Sequence, residues 1–237
     1  MRSGRVDPHC HLLPGVDDGC ANLPESIECA RRLLEAGYSH VCCTPHIWPS
    51  LVQNTMENIL QWTADLQREL HDRNIPLTLH AGGEINLLPS FSTTDPAKVV
   101  TYGGRRRHVL FDLWADVLPP HFEASVKWLQ QQGLQPILAH PERMRAVQDD
   151  PCIVEYFAEL GLWLQGNLQC FGDPPDSATR RLAERFLEEN RYFCLGSDCH
   201  GPSSLEIRLE GLKNALQLAG QERINRLTIE NPSVLLG

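Results

Sequence analysis

Two short segments near opposite ends of the chain carry residues with metal-ligand chemistry: Asp7-Pro8-His9-Cys10-His11 and Gly196-Ser197-Asp198-Cys199-His200. Each follows a short apolar run, Arg5-Val6 before the first and Tyr192 to Leu195 before the second. On an extended strand, residues i and i+2 share a face. The spacing therefore predicts that His9 with His11, and Asp198 with His200, each aim two ligands into a common space. Cys10 and Cys199, at the intervening positions, are expected to point away.

Further donors sit at the ends of other short β-rich runs. They are Asp17 and Asp18 within Leu13-Pro-Gly-Val-Asp-Asp-Gly19, His46 after Thr44-Pro45, Glu84 after Gly82-Gly83, Asp112 after Phe111, and His140 in Ala139-His-Pro-Glu-Arg143. Imidazole and carboxylate without a thiolate suit manganese, iron or zinc. A lone histidine at a strand end is ordinarily a surface or core residue, and His40, His71, His80, His108 and His121 read that way. The joint pattern is different. His9, His11, Asp18, His46, Glu84, Asp112, His140, Asp198 and His200 form a candidate ligand set for two or three divalent ions.

These donors must be positioned by a regular scaffold, and the sequence alternates accordingly. β-rich runs are predicted at Val6–His11, His40–Thr44, Leu77–His80, Arg107–Leu113, Gln135–Ala139, Leu162–Gly166 and Tyr192–Leu195. Helical segments are predicted at Leu23–Ala36, Asn54–His71, Pro120–Gln132, Cys152–Leu160, Ala178–Glu189 and Leu205–Leu218. Ile27, Ala30, Leu33 and Leu34 make an apolar stripe that Gly37 terminates; Gly133 and Gly161 end later helices in the same way. Leu87 to Ala97 reads as an irregular surface loop. Strand–helix alternation implies parallel strands with helical crossovers. One α/β domain over 1–237 is expected. A barrel fits better than an open sheet, because the polar motifs sit at the carboxyl ends of many strands. Neither a Gly-x-Gly-x-x-Gly turn after the first strand nor a phosphate-binding loop ending Gly-Lys-Ser/Thr is present.

Composition narrows the function classes. The 237 residues are 42% hydrophobic with a formal charge of −9, which opposes a nucleic-acid footprint. No apolar run reaches 18 residues, so no membrane insertion is expected. Met1 to Arg5 lacks the apolar stretch of a signal peptide, which points to the cytoplasm. Nine scattered cysteines without a Cys-x-x-Cys pair read as buried thiols rather than a disulfide framework or zinc finger. The one basic run, Arg105-Arg106-Arg107, reads as a solvated turn.

With these motifs assembled, the chain resembles the PHP (polymerase and histidinol phosphatase) superfamily, and within it the bacterial manganese-dependent tyrosine phosphatases encoded with capsule and exopolysaccharide genes. The resemblance rests on Asp7–His11, Leu13–Gly19, Thr44–His46, Gly83-Glu84, His140–Arg143 and Gly196–His200, in the family's order. It implies a distorted (β/α)7 TIM-like barrel and a trinuclear site. His9, His11, Glu84 and Asp198 would hold one ion; Glu84, Asp112 and His140 a second; Asp18, His46 and His200 the third. Two departures stand out. The position of Asp112 is usually glutamate, and the arginine that closely follows the Asp-x-His motif is here no nearer than Arg208.

The resemblance further implies hydrolysis of a phosphomonoester, with a phosphotyrosine protein such as a bacterial tyrosine kinase as substrate. Manganese is the expected cofactor, with iron and zinc compatible. Three divalent ions against four carboxylates leave two positive charges for a phosphate dianion. A water acidified by the metals would attack phosphorus in line, with Asp112 and His140 at the catalytic centre. Arg143 would clamp two equatorial oxygens, its alternative being a structural ion pair, and Arg208 is a second substrate-binding candidate. Asp7 would orient a ligand imidazole or make an ordinary strand-end bond, and Asp17 would act as a general acid or be part of a loop. No Cys-x5-Arg loop supports a cysteinyl-phosphate route. Rival readings are a histidinol-phosphatase-like phosphoesterase and a catalytically weak metal-binding regulatory module.

Overall fold

The computed structural model describes residues 4–236. The amino-terminal stretch read above for a leader lies partly outside them. Strands and helices alternate along the chain, and every strand pairing is parallel. The strands are β1 Arg5–Cys10, β2 Tyr38–Cys43, β3 His46–Ile47, β4 Thr78–Ala81, β5 Glu84–Asn86, β6 His108–Asp112, β7 Gln135–Ala139, β8 Trp163–Asn167 and β9 Cys194–Gly196. They form a three-stranded sheet in the order β1-β2-β4 and a six-stranded sheet in the order β3-β5-β6-β7-β8-β9. A bridge between Cys10 and Cys199 joins β1 to the segment after β9, with His11 N–H donating to Cys199 C=O at 3.0 Å and Asp198 N–H to His9 C=O at 2.7 Å.

β3 and β5 were not expected from sequence. They prolong β2 and β4 after interruptions at Thr44-Pro45 and Gly82-Gly83, and at two and three residues they are too short for any periodicity. The other strands match their predicted runs to within a few residues, the largest shifts being at the start of β2 and at β9, where the run read from Tyr192 begins at Cys194.

Connecting the strands are α1 Leu23–Glu35, α2 Met56–Asp72, α3 Phe122–Gln131, α4 Arg145–Asp149, α5 Ile153–Glu159, α6 Leu168–Gly172, α7 Ala178–Glu188 and α8 Pro202–Asn225. Asn22, Thr55 and Ser177 cap α1, α2 and α7 by accepting a backbone N–H of the first turn. Gly37, Gly133 and Gly161 follow their helices with φ of 88°, 75° and 72°, as the sequence predicts. The short α4 and α6 were not expected. α8 runs beyond its predicted range and is interrupted at Gly220. The 87–97 stretch holds only single 3-10 turns at Phe91–Thr93 and Pro96–Lys98. Among the described residues, no helix is long and apolar enough to cross a membrane.

Strand alternation divides the core in two. Val109, Phe111 and Leu138 face the helices, where Phe111, Phe122 and Phe157 pack in sequence at ring separations of 6.3 and 5.4 Å. Leu110, Ile137 and Ala139 point the other way and meet Val6 and Cys42 from the smaller sheet. The two sheets thus share an apolar interior, with Leu235 and Leu236 packed into it. Asp112 has the parity of Leu110, so this interior continues toward it.

Gly211 marks the tightest helix contact. A Cβ there would sit 1.8 Å from the carbonyl oxygen of Leu168, because α8 crosses directly over α6. Gly211→Ala is expected to destabilise the protein by about 3 kcal/mol or more, since backbone cannot yield as a side chain does. Urea denaturation of the two proteins measures it.

Candidate metal centre

His9 lies on β1, and His11 immediately follows it. Both are fully buried, and their Nε2 atoms face each other at 3.1 Å. The shared face predicted from their spacing is therefore present. The opposite ring nitrogens set the tautomers. Gln165 gives its Nε2 to the Gly166 carbonyl, which leaves Oε1 to accept from Nδ1 of His9 at 2.7 Å. Nδ1 of His11 donates to Asp17 Oδ2 at 2.7 Å. Each ring thus presents its Nε2 to the other, and carboxylates surround the pair. Glu84 Oε2 lies 3.2 Å from His9 Nε2, 3.4 Å from His11 Nε2 and 3.0 Å from His46 Nδ1. Asp198 Oδ1 lies 3.4 and 3.3 Å from the same two Nε2 atoms.

Ring nitrogens and carboxylate oxygens crowded at such distances need positive charge between them, as protons or as a metal ion. A metal–ligand bond of about 2.1 Å sets ligand–ligand contacts of about 3.0 Å at right angles and about 3.4 Å at the tetrahedral angle. The separations here fall in that range. Glu84 Oε2, Asp112 Oδ1 and His46 Nδ1 are also buried without a hydrogen bond of good geometry, although Glu84 and His46 lie close together. Buried polar atoms left so are costly unless an ion satisfies them. The residues fit divalent metal.

The donor atoms fall into four groups, each within 4.8 Å: His11, Asp18, His46 and His200; His9, His11 and Glu84; His9, His140 and Asp198; His46, Glu84 and Asp112. All nine candidate ligands take part. The partition differs from the one implied by resemblance, since Glu84, Asp112 and His140 do not form a group of their own. Asp112 is one methylene shorter than glutamate, and its Oδ2 accepts from Trp114 Nε1. Its Oδ1 is buried without a hydrogen bond, and the carboxyl lies within reach of the donors of His46 and Glu84. His140 Nε2 still lies 3.0 Å from Glu84 Oε1.

Two donors depart from strand geometry. β9 ends at Gly196, and Asp198 adopts a left-handed backbone with φ of 52°, so Asp198 and His200 are not an i, i+2 pair on a strand. His140 follows β7 with φ of 35°. Such conformations cost of order 1 kcal/mol or more and cluster at functional sites. The surroundings hold both turns in place. His140 N–H donates to Gln165 C=O at 2.7 Å, while Asp198 Oδ2 accepts from Asn167 Nδ2 at 2.7 Å and from Arg143 Nη1 at 2.8 Å.

The electrostatics follow from this packing. Burial alone would raise Glu84 and Asp198, but His9 and the adjoining imidazoles hold both carboxyls well below their ordinary range. Burial would lower His9 and His11; the surrounding carboxylates, Glu84 first for His9 and Asp17 first for His11, raise them instead. Burial and the charge of Glu84 push Asp112 well up. Asp17 is held at about 2: burial opposes this, but its bond to His11 and the backbone N–H groups of His46 and Gly19 prevail. Asp7 is raised to about 6 by burial despite accepting from Ser197.

Several roles can be read from these bonds. Asp17 orients His11 and anchors the backbone of His46. Asp7 grips Ser197, and so holds the loop that carries Asp198 without bonding a ligand imidazole. Arg143 pairs with Asp198 rather than Glu142, and its half-exposed guanidinium lines an open cavity of 590 Å³ over the cluster. Arg208 reaches the wall of that cavity but is buried, giving Nε to the carbonyls of Ser197 and Asp198, each at 2.8 Å, and Nη1 to Ser204 at 2.7 Å. Those bonds brace the Asp198 loop. Gln165 and Asn167 were missed from sequence. The available signal was two polar residues at i, i+2 closing an otherwise apolar run, with the parity of Trp163, which packs on the interior. Cys10 and Cys199 turn away from the donors, as expected: Cys10 contacts Cys199, whose Sγ lies 3.8 Å from Cys29 Sγ. The cysteines are free thiols, all but Cys152 buried.

Comparison with known proteins identifies the family. A family model described as capsular polysaccharide synthesis, CpsB/CapC, matches residues 5–237. The tyrosine-protein phosphatase YwqE of Bacillus subtilis (strain 168) is 24% identical over 231 residues, covering 98% of this chain and 91% of its own length. The tyrosine-protein phosphatase CpsB of Streptococcus agalactiae is 24% identical over 241 residues, covering 98% of each. A solved structure, described with YwqE from Bacillus subtilis and CpsB from Streptococcus pneumoniae as unique metal-dependent tyrosine phosphatases, superposes with a TM-score of 0.88. It is 26% identical and covers 98% of this chain and 94% of its own.

The raised imidazoles generate a pH prediction. Each histidine must shed its proton to bind metal, and a raised pKa extends that competition above the ordinary value near 6.5. Apparent affinity for manganese is expected to climb from pH 6.5 through pH 8.5, with protons released on binding. Calorimetry in buffers of different ionisation enthalpy measures both.

Proposed function

This chain belongs to the CpsB/CapC family of capsular polysaccharide synthesis, and on that footing we propose that it is a metal-dependent phosphatase that hydrolyses phosphotyrosine on protein. The observation that carries the proposal is the meeting of His9, His11, Glu84 and Asp198, of which Glu84 and Asp198 line one cavity together with Arg143. Full-length similarity to proteins named as tyrosine phosphatases supports the choice of reaction. The fold reading that goes with it is a single domain whose two sheets make one distorted (β/α)7 barrel, with the centre at its carboxyl rim.

His9, His11, Asp18, His46, Glu84, Asp112, His140, Asp198 and His200 would hold two or three divalent ions, manganese by resemblance. Two such ions balance the four carboxylates, and three exceed them by the charge of a phosphate dianion. Divalent ions held there supply positive charge to phosphoryl oxygens and acidify water for attack. The protein's own residues do the rest. Arg143, anchored through Nη1 to Asp198, turns the remainder of its guanidinium to the cavity and binds equatorial phosphoryl oxygens. Gln165 and Asp17 keep Nδ1 of His9 and His11 protonated, so Nε2 is the donor atom in each. Asn167 fixes Asp198, and Arg208 braces its loop. A phosphotyrosyl protein, such as a tyrosine kinase of capsule or exopolysaccharide synthesis, is the proposed substrate. Buried free thiols suit the reducing cytoplasm.

Two measurements test this reading. Manganese-loaded protein is expected to dephosphorylate a phosphotyrosyl peptide and to prefer it over histidinol phosphate in kcat/KM, and chelation is expected to abolish turnover. Full activity after chelation overturns the proposal. His140→Ala should lower kcat by at least about a hundredfold with the fold retained, and Arg143→Ala should lower kcat/KM by a similar factor through lost charge stabilisation. Steady-state kinetics beside circular dichroism separate these losses from unfolding.

A further inference from the structure

The cavity over the cluster is not wholly polar: Leu113, Trp114, Ala115 and Met144 also line it. Trp114 is 67% exposed, unusual for the largest apolar side chain, and it stands where the loop after β6 leaves Asp112. Two contacts hold it there. Its indole N–H donates to Asp112 Oδ2, and its ring meets Trp48 edge-on at a centroid distance of 6.0 Å and 84°. Trp48 is in turn stacked on His46 at 4.1 Å and 21°. An exposed indole is thus tied, through two separate chains of contact, to two residues of the donor cluster. The same two loops carry the exposed Val52 and Val117.

Phosphate recognition needs charge and hydrogen-bond donors, which the cluster and Arg143 provide. It does not need an indole. In an aryl phosphate the ester oxygen is bonded directly to the ring, so a phosphoryl group at the cluster leaves that ring in the adjoining part of the cavity. We propose that Trp114 is the specificity-determining residue of this site: its ring stacks on the phenol ring of phosphotyrosine, and Trp48 braces it. This rests on the phosphatase reading above and adds the element that separates aryl from alkyl phosphates. An alkyl group offers no π face, so the ring contributes little to its binding. One aromatic pair gives a preference of about tenfold.

Phosphonates test this without turnover, because their carbon–phosphorus bond is not hydrolysed. Manganese-loaded protein is expected to bind phenylphosphonate about tenfold more tightly than ethylphosphonate by calorimetry. Trp114→Ala should bring the two within about twofold of each other. Trp114→Phe keeps an aromatic face and loses the indole N–H, so it should retain most of the preference even if both affinities fall through Asp112. Equal binding of the two phosphonates by the unsubstituted protein overturns the inference. So does an unchanged preference in Trp114→Ala, or a loss of preference in Trp114→Phe as large as in Trp114→Ala. Turnover of a phosphotyrosyl peptide by the unsubstituted protein is scored separately, so failure of the phosphatase reading and failure of the stacking role are distinguishable.

Discussion

The structure turns on one electrostatic constraint: ring nitrogens and carboxylate oxygens are brought to within 3.0–3.4 Å of one another in a buried space, where only added positive charge reconciles them. Two neutral imidazoles facing through their lone pairs, with a glutamate and an aspartate against both, are unfavourable as a bare set. Desolvating each carboxylate alone costs several kcal/mol. Protons or metal ions must supply the missing positive charge, which is why the carboxyls are held down and the histidines up. The same crowding that is unfavourable without added positive charge suits the set to hold a cation.

Holding that arrangement requires stiff surroundings, and the fold supplies them in layers. Outward-facing residues such as Phe111 and Leu138 lock the strands against helices, while Leu110, Ile137, Val6 and Cys42 fill the space beneath the donors. Above that floor, each donor is steadied from behind: His9 by Gln165, His11 by Asp17, Asp198 by Asn167, Arg143 and the loop bonds of Arg208. Left-handed backbone at His140 and Asp198 is tolerated because those neighbours leave little freedom to relax. Asp7 contributes indirectly, its buried carboxyl gripping Ser197 between β9 and Asp198.

Much of this was legible in the sequence, though unevenly. Periodicity and glycine stops located most of the longer elements, because those signals are local. The pairing of His9 with His11 followed from strand parity. Asp198 and His200 do meet, at 3.4 Å, but not through parity: the strand ends two residues before Asp198, and a left-handed turn that the sequence did not reveal brings them together. β3 and β5 were invisible because their hydrogen bonds, not their side-chain pattern, define them. Trp114 was passed over because an isolated tryptophan in a loop reads as ordinary surface until its neighbours are known.

By itself, the sequence determined the chemistry available: which side chains can donate to a metal, that no thiolate is needed, and that parallel α/β architecture would carry them. Those are properties of residue type and of spacing along the chain. Only the tertiary structure decided which donor atoms meet, which ring nitrogen each histidine presents, and that Arg143 pairs with Asp198 while Arg208 serves the backbone. The reason is physical. His9 and Gln165 are 156 residues apart, and no local preference along the chain specifies the 2.7 Å contact that fixes a tautomer.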